Sequence, residues 1–169
     1  MRSLGKRVVV VGVSASGKSV FSRKLAQRTG LPLKHMDSII WKPGWVYAGD
    51  DVVDRWLEEV TTEDSWIIEG YITKASRTTV FERADTILYM DYSPWVASWR
   101  YLKRWWRHRK DARPEIEGCP EKFSFKFLKL VWAKGEAITL KQFLKNVGDQ
   151  SKIVTLRSPR EAKKYLTSL

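Results

Sequence analysis

Eight consecutive residues, Gly12-Val13-Ser14-Ala15-Ser16-Gly17-Lys18-Ser19, constrain this chain more than any others. They match the pattern G-x-x-x-x-G-K-[ST], whose mechanism needs a buried strand before it and a helix after it. The sequence supplies both. Arg7 to Val11 is a β-branched run suited to a strand covered on two faces, and Val20, Phe21 and Leu25 recur at helical spacing until Gly30 and Pro32 stop the pattern. In such a loop the backbone N–H groups and the helix N-terminus point at phosphate oxygens, Lys18 places a cation on the β and γ phosphates, and Ser19 offers a hydroxyl to Mg²⁺. Gly12, Ser14, Ala15, Ser16, Gly17, Lys18, Ser19 and Val20 are therefore the expected nucleotide cradle, with Mg²⁺ as the expected metal and Lys18 also catalytic.

Further along, buried-strand runs at Trp66–Glu69, Thr86–Met90 and Lys152–Leu156 alternate with helical patterns from Val52, from Pro94 to about Arg109, between Phe127 and Val147, and from Pro159. Strands and helices alternating in this way predict an α/β fold with a parallel sheet. At 169 residues, 43% apolar and 30% charged, the whole chain is expected to form one domain, because a chain of this size buries most of the surface it exposes when unfolded. With 31 Lys and Arg against 19 Asp and Glu, a formal charge of +12 calls for a polyanionic partner. Cys119 is the only cysteine. That rules out an internal disulfide, fits a cytoplasmic location, and makes Cys119 a turn residue. No apolar run approaches the ~20 residues that span a bilayer, so no membrane partner is expected. The chain also lacks the N-K-x-D guanine motif of GTPases.

Three further regions bear on chemistry. Asp37 lies just beyond a short strand, where open α/β sheets bind ligands; it is the candidate base or orienting group for an acceptor, the alternative being a turn cap. His35 reads as a packed or solvated side chain, and Trp41 and Trp45 as acceptor-stacking or packing groups. Glu69 closes a strand opposite Ser19 and, with Ser19, is the candidate metal organiser, Asp91 being its competitor. On the helix from Pro94, Trp95, Trp99, Leu102 and Trp106 follow at spacings of four, three and four and are expected to form a core stripe. Arg100, Lys103, Arg104, Arg107, Arg109, Lys110 and Arg113 put seven cations in fourteen residues, with Asp111 the only acid among them. A lid over about residues 107–122 that clamps phosphates is the reading adopted, its arginines stabilising charge in the transition state and Arg104 lying on the nucleotide; a solvated face is the alternative.

Taken together, G-x-S-x-S-G-K-S, H-x-D followed by W-K-P-G-W, W-I-I-E-G, E-R-A-D, W-R-Y-L-K-R, R-P-E-I-E-G-C-P-E and L-R-S-P-R-E resemble the small adenylate-kinase-like P-loop proteins of the FlaR-type DNA-topology-modulation family. The resemblance spans nearly the whole chain. It implies a nucleoside-monophosphate-kinase-like, three-layer α/β/α fold with a five-stranded parallel sheet in order 2-3-1-4-5 and a basic helical lid. It also implies ATP and Mg²⁺ binding, a catalytic lid role for Arg109 and Arg113, and an adenine-side role for Arg157, Ser158 and Pro159 after the last strand. Glu69 stands where that family pattern has Asp, and Tyr71 where it has Asn. Two functions follow as expectations: an ATP- and Mg²⁺-dependent phosphotransferase acting on an unidentified small-molecule acceptor, or a nucleic-acid-binding regulator with ATP binding or weak ATPase activity. Neither the acceptor nor the oligomeric state is written in these motifs.

Overall fold

A computed structural model describes residues 4–133 and 135–169. The β-branched run forms β1 (Arg7–Gly12), and the loop after it leads into α1 (Lys18–Thr29). β2 (Leu33–His35) and the short α2 (Met36–Ile40) follow, then a hairpin of β3 (Trp41–Lys42) and β4 (Val46–Tyr47). The chain continues through α3 (Asp50–Val60), β5 (Trp66–Glu69), α4 (Arg77–Arg83) and β6 (Thr86–Met90). It ends with α5 (Pro94–His108), α6 (Phe125–Ala133), α7 (Gly135–Lys145), β7 (Ile153–Leu156) and α8 (Pro159–Thr167).

Five of the strands make one parallel sheet in the order β2-β5-β1-β6-β7. Counted within that sheet, this is the expected 2-3-1-4-5; the labels differ because the β3–β4 hairpin, which no sequence pattern announced, lies between the second and third sheet strands. Side chains alternate across a strand, so the continuous valine run of β1 feeds two cores. Val9 and Val11 pack with Ile68, Ile87 and the α3 residues Val53, Leu57 and Val60. Val8 and Val10 pack on the other side with Phe21 and Leu25 of α1 and Tyr165 and Leu166 of α8. Helices on both faces bury the central strands β5, β1 and β6, which is why those strands contain so few polar residues, while the edge strands β2 and β7 stay partly exposed.

The termini of the elements are fixed by local chemistry. Ser93 caps α5 with Pro94 behind it, and the Ser158 Oγ accepts from Glu161 N at 3.2 Å to cap α8, as the two Ser-Pro pairs predict. Lys152 is buried, and its Nζ donates to the carbonyls of Phe81, Glu82 and Ala84 at 2.6, 3.2 and 3.2 Å. One ammonium thus satisfies the last open carbonyls of α4 and ties β7 to that helix.

The expected core stripe on α5 is corrected by the structure. Trp95, Trp99 and Trp106 are 73%, 69% and 64% exposed, and Leu102 is exposed as well. The buried positions are Ala97 and Tyr101. A stripe displaced by two residues lies ~200° away around a helix, so the tryptophan spacing gave the correct period and the wrong side. The inward side is chosen by the cleft, which α5 roofs with polar as well as apolar groups.

Candidate active site

The loop between β1 and α1 has the backbone its sequence demands. Gly12 has φ 153°, and a Cβ built there would stand 2.4 Å from the Met90 carbonyl oxygen on β6, so only glycine lets the strand turn there. Gly17, at φ 89°, begins α1, whose N-terminus has no side-chain cap and no acid in its first turn. Donors left open at a helix N-terminus beside a cation form an anion site. The Lys18 Nζ donates to Gly12 O at 3.0 Å and Val13 O at 3.1 Å, which folds the side chain over the loop. Arg100, from α5, bonds the Ser16 carbonyl and so brings the basic helix onto the same loop.

The loop forms one wall of a cleft of about 1820 Å³. Across from it, α2 and the ends of β2 and β5 bring Asp37, Glu69 and Tyr71 to the same cavity, and α5 contributes Arg100, Lys103, Arg104 and Arg107. Glu69 is buried at the end of β5 with its Oε1 2.6 Å from the His35 Nδ1. His35 is therefore packed, as expected, and its packing orients the carboxylate. Ser19, Lys18 and Val20 line the cleft together with Glu69. Asp91 does not line it: its carboxylate is paired with Lys141 at 2.8 Å and accepts from the Tyr89 hydroxyl at 3.2 Å. The position, not the residue type, separates the two carboxylates.

The cover is formed by the end of α5 and the segment up to residue 124. Arg113, only 8% exposed, reaches the Asp37 Oδ2 with Nη1 at 3.3 Å. Its Nε lies 2.7 Å from Glu121 Oε1, and the Arg104 Nε lies 3.0 Å from the same oxygen. Neither Nε–H is aimed along the contact as in a hydrogen bond, so these are close charge–charge contacts. Asp37, Arg113, Glu121 and Arg104 thus alternate in sign from the acceptor side to the basic helix. Burial is the largest influence on Arg104 and lowers its pKa, which Glu121 partly offsets; guanidinium remains charged.

The same segment is fastened at both sides of the cleft. Gly44 N donates to Gly118 O at 2.9 Å, and the Trp45 indole Nε1 donates to Pro120 O at 2.9 Å. Cys119 is fully buried, with its Sγ 3.3 Å from Trp45 N and 3.2 Å from Lys42 O, so it holds the cover to the β3–β4 hairpin. It is more than the turn residue expected. On the opposite side Glu115 pairs with Arg23 of α1. Trp45 packs edge-on against Trp41 at 5.6 Å, which makes the W-K-P-G-W sequence a docking edge for the cover as well as part of the cleft wall.

Several expected residues stand elsewhere. Arg109 lies over the Trp106 ring with 3.9 Å to the centroid and is not in the cleft lining, because a cation–π contact with an exposed indole holds it outside. Arg157 borders a smaller cavity beside Asp91, and the Ser158 hydroxyl is used as the α8 cap; of these three, Pro159 alone reaches the main cleft. Glu121 was missed although it ends the R-P-E-I-E-G-C-P-E motif. No local spacing marked it out: Lys122 follows it directly in the chain, and its partners Arg104 and Arg113 stand seventeen and eight residues earlier.

Burial, the largest cause, together with Arg107 and Arg113 lowers the His108 pKa from its ordinary 6.5. On acidification the unfolded chain takes up a proton there that the folded chain resists. Its stabilising contribution is complete above about pH 6.5 and is lost as pH falls through and below that value. The thermal midpoint should decline between about pH 7 and about pH 5.5, and His108→Gln should flatten the decline. An unchanged slope in the variant would assign it to other groups.

No family model matches the chain, and no curated protein does, so the FlaR-type resemblance stands on its motifs alone. Solved structures do match. A kinase labelled putative from Chloroflexus aurantiacus is 18% identical at TM-score 0.61, covering 98% of this chain and 97% of its own. Shikimate kinase from Acinetobacter baumannii, in complex with shikimate, is 15% identical at TM-score 0.60, covering 97% and 90%. A gluconokinase from Sinorhizobium meliloti is 19% identical at TM-score 0.54, covering 99% and 94%. The chain has the fold of the P-loop kinases. At these identities the likeness carries the fold alone, and what the chain does must be argued from its own cleft.

Proposed function

We propose that the chain is an ATP- and Mg²⁺-dependent phosphotransferase that moves the γ-phosphoryl group to a small acceptor lying between Asp37 and Glu69. The observation that carries this reading is the opposition, across one cleft, of the phosphate loop and Asp37, under a cover that contributes Arg113 and Arg104. A hydrolase needs no second pocket; a transferase needs one that excludes water. The names of the similar structures, gluconokinase, sugar kinase and shikimate kinase, support a small-molecule acceptor.

Ser19 and Glu69 are hard oxygen donors of the kind Mg²⁺ takes while keeping several waters. No group of three or more His, Cys, Asp or Glu among the described residues would hold an ion unaided, so the metal would arrive with the nucleotide and there offset phosphate charge. Lys18 and the α1 N-terminus bind the β and γ phosphates. Asp37 orients the acceptor hydroxyl and takes its proton as the acceptor oxygen bonds to the γ-phosphorus and the bond to the β-phosphate oxygen breaks, releasing ADP. Arg113 holds Asp37 in place beforehand and lies near the charge that develops. Arg104, Arg157, Ser158 and Pro159 remain candidate nucleotide contacts, with Arg109 entering only if the cover shifts. Because Arg100 and Arg104 face the cleft, much of the basic helix is committed to it, which supports transfer over the nucleic-acid-regulator reading.

A panel of hydroxylated small molecules, nucleosides and nucleotides, assayed for ATP-dependent phosphorylation, tests the proposal. With the acceptor found, Asp37→Asn should lower transfer by about 10²- to 10⁴-fold while ATP affinity stays within about twofold. Undiminished transfer would leave Asp37 as a residue of the first turn of α2 and nothing more.

A further inference from the structure

Helix α5 carries two stripes at the same four-three-four spacing on opposite sides. Ala97, Tyr101, Arg104 and His108 face inward; Trp95, Trp99, Leu102 and Trp106 face outward and are exposed. The outward stripe runs about 16 Å along the helix and continues onto α6 and the turn before it. Trp95 meets Trp132 edge-on with centroids 4.7 Å apart, and the Trp132 Nε1 donates to Ser98 Oγ at 3.0 Å. At the other end Trp105 meets Phe123 at 5.2 Å, and Phe123 meets the exposed Phe125 at 4.8 Å. An aromatic face this extended is not left open to water without a use.

The charge around it has one sign. No Asp or Glu occurs from Tyr92 to Lys110, nor from Lys122 to Gly135, while Lys126 and Lys129 on α6 and Lys110 just beyond the end of α5 are exposed. We propose that the outer face of the α5–α6 pair docks on the surface of a bilayer that contains anionic phospholipid. The indole rings of Trp95, Trp99, Trp106 and Trp132 enter the boundary between headgroups and acyl chains, and the lysines meet the lipid phosphates. Tryptophan suits that boundary because its ring is apolar and its N–H is polar. No helix among the described residues is long and apolar enough to cross a membrane, so the mode is lying on the bilayer, a partner the motifs of the sequence do not announce.

Charge complementarity selects the bilayer over a second copy of the chain, since two such faces would bring lysines against lysines. Ring geometry selects it over single-stranded nucleic acid. Bases need open ring faces on which to stack, whereas the Trp95–Trp132 and Phe123–Phe125 pairs stand at 83° and 86° and the stripe includes aliphatic Leu102, giving apolar bulk in place of a stacking platform.

The test is co-sedimentation of the full chain with phosphatidylcholine vesicles, alone or with about one quarter phosphatidylglycerol. The protein should pellet with the second and stay in solution with the first, and raised salt should weaken binding severalfold. Trp95→Gln with Trp99→Gln should lower partitioning by about tenfold for each ring removed. Because both side chains are exposed, the melting midpoint should stay within about 2 °C of the parent. Lys126→Glu with Lys129→Glu should weaken binding to the anionic vesicles by at least about tenfold while leaving every ring in place. The proposal is overturned if neither kind of vesicle binds the parent, or if the ring variant binds as the parent does. It is equally overturned if single-stranded oligonucleotide binds in place of vesicles and the ring variant loses that binding, or if the parent is a dimer in solution that the ring variant dissociates.

Discussion

Lys18→Ala should abolish nearly all turnover, by about 10³-fold or more, and should weaken ATP binding by at least about tenfold. In the structure the Lys18 ammonium is 3.0 and 3.1 Å from the carbonyls of Gly12 and Val13, so it already lies over the concave side of the loop, where the β and γ phosphates are expected. Removing it takes away a mobile point charge that no neighbour replaces: Arg100 is engaged with the Ser16 carbonyl and over the Tyr92 ring, and Arg104 and Arg113 are shared with Glu121. The fall should be larger in turnover than in affinity, because the charge on the transferring group is most dispersed in the transition state. Isothermal titration with ATP and a coupled ADP assay read the two separately. ATP affinity equal to that of the parent would remove the phosphate-loop reading altogether.

Glu121→Gln should cost about 3 kcal/mol of folding stability, a drop of roughly 6–12 °C in midpoint for a chain of this length. Glu121 is buried, and its one carboxylate oxygen stands between two guanidinium groups, of which Arg113 is itself buried. The variant keeps the shape and removes the charge, leaving Arg104 and Arg113 facing each other with no anion between them. The same change should loosen the cover, since Arg113 links Glu121 to Asp37, and transfer should fall even at temperatures where the chain remains folded. Thermal unfolding followed by circular dichroism, with transfer assayed well below the midpoint, separates the effects. A stable variant with normal transfer would mean that the alternating charges neither hold the cover nor set Asp37.

The alternation of buried runs with helical patterns determined the α/β sheet, because a parallel sheet covered on both faces leaves a signature in its central strands: Val8 to Val11, Trp66 to Ile68 and Ile87 to Met90 are apolar without a break. The phosphate loop was equally legible, its glycines, lysine and serine being fixed by local backbone geometry that needs no distant partner. The Ser-Pro caps of α5 and α8 are local in the same way. Short-range rules therefore sufficed for the α/β class and for the loop wall of the cleft, down to Lys18 and Ser19, whereas the sheet order came from the family resemblance and not from any local pattern.

Side of burial and choice of partner are long-range properties, and there the tertiary structure decided. The period of α5 was evident, but two stripes of the same period compete on it, and only the cleft and α6 determine that Tyr101 is buried and Trp99 exposed. Cys119 holds the cover through residues 74 and 77 positions away, and Arg113 finds Asp37 across 76. No local spacing encodes such pairings. Asp91 and Glu69 both end sheet strands, and what separates them is that Lys141 neutralises one while His35 orients the other toward the cavity. Sequence thus determined which groups this chain possesses and the period on which they repeat; the packing of helices on the sheet determined which of them meet, because a hydrogen bond or an ion pair depends on distance in space and not along the chain.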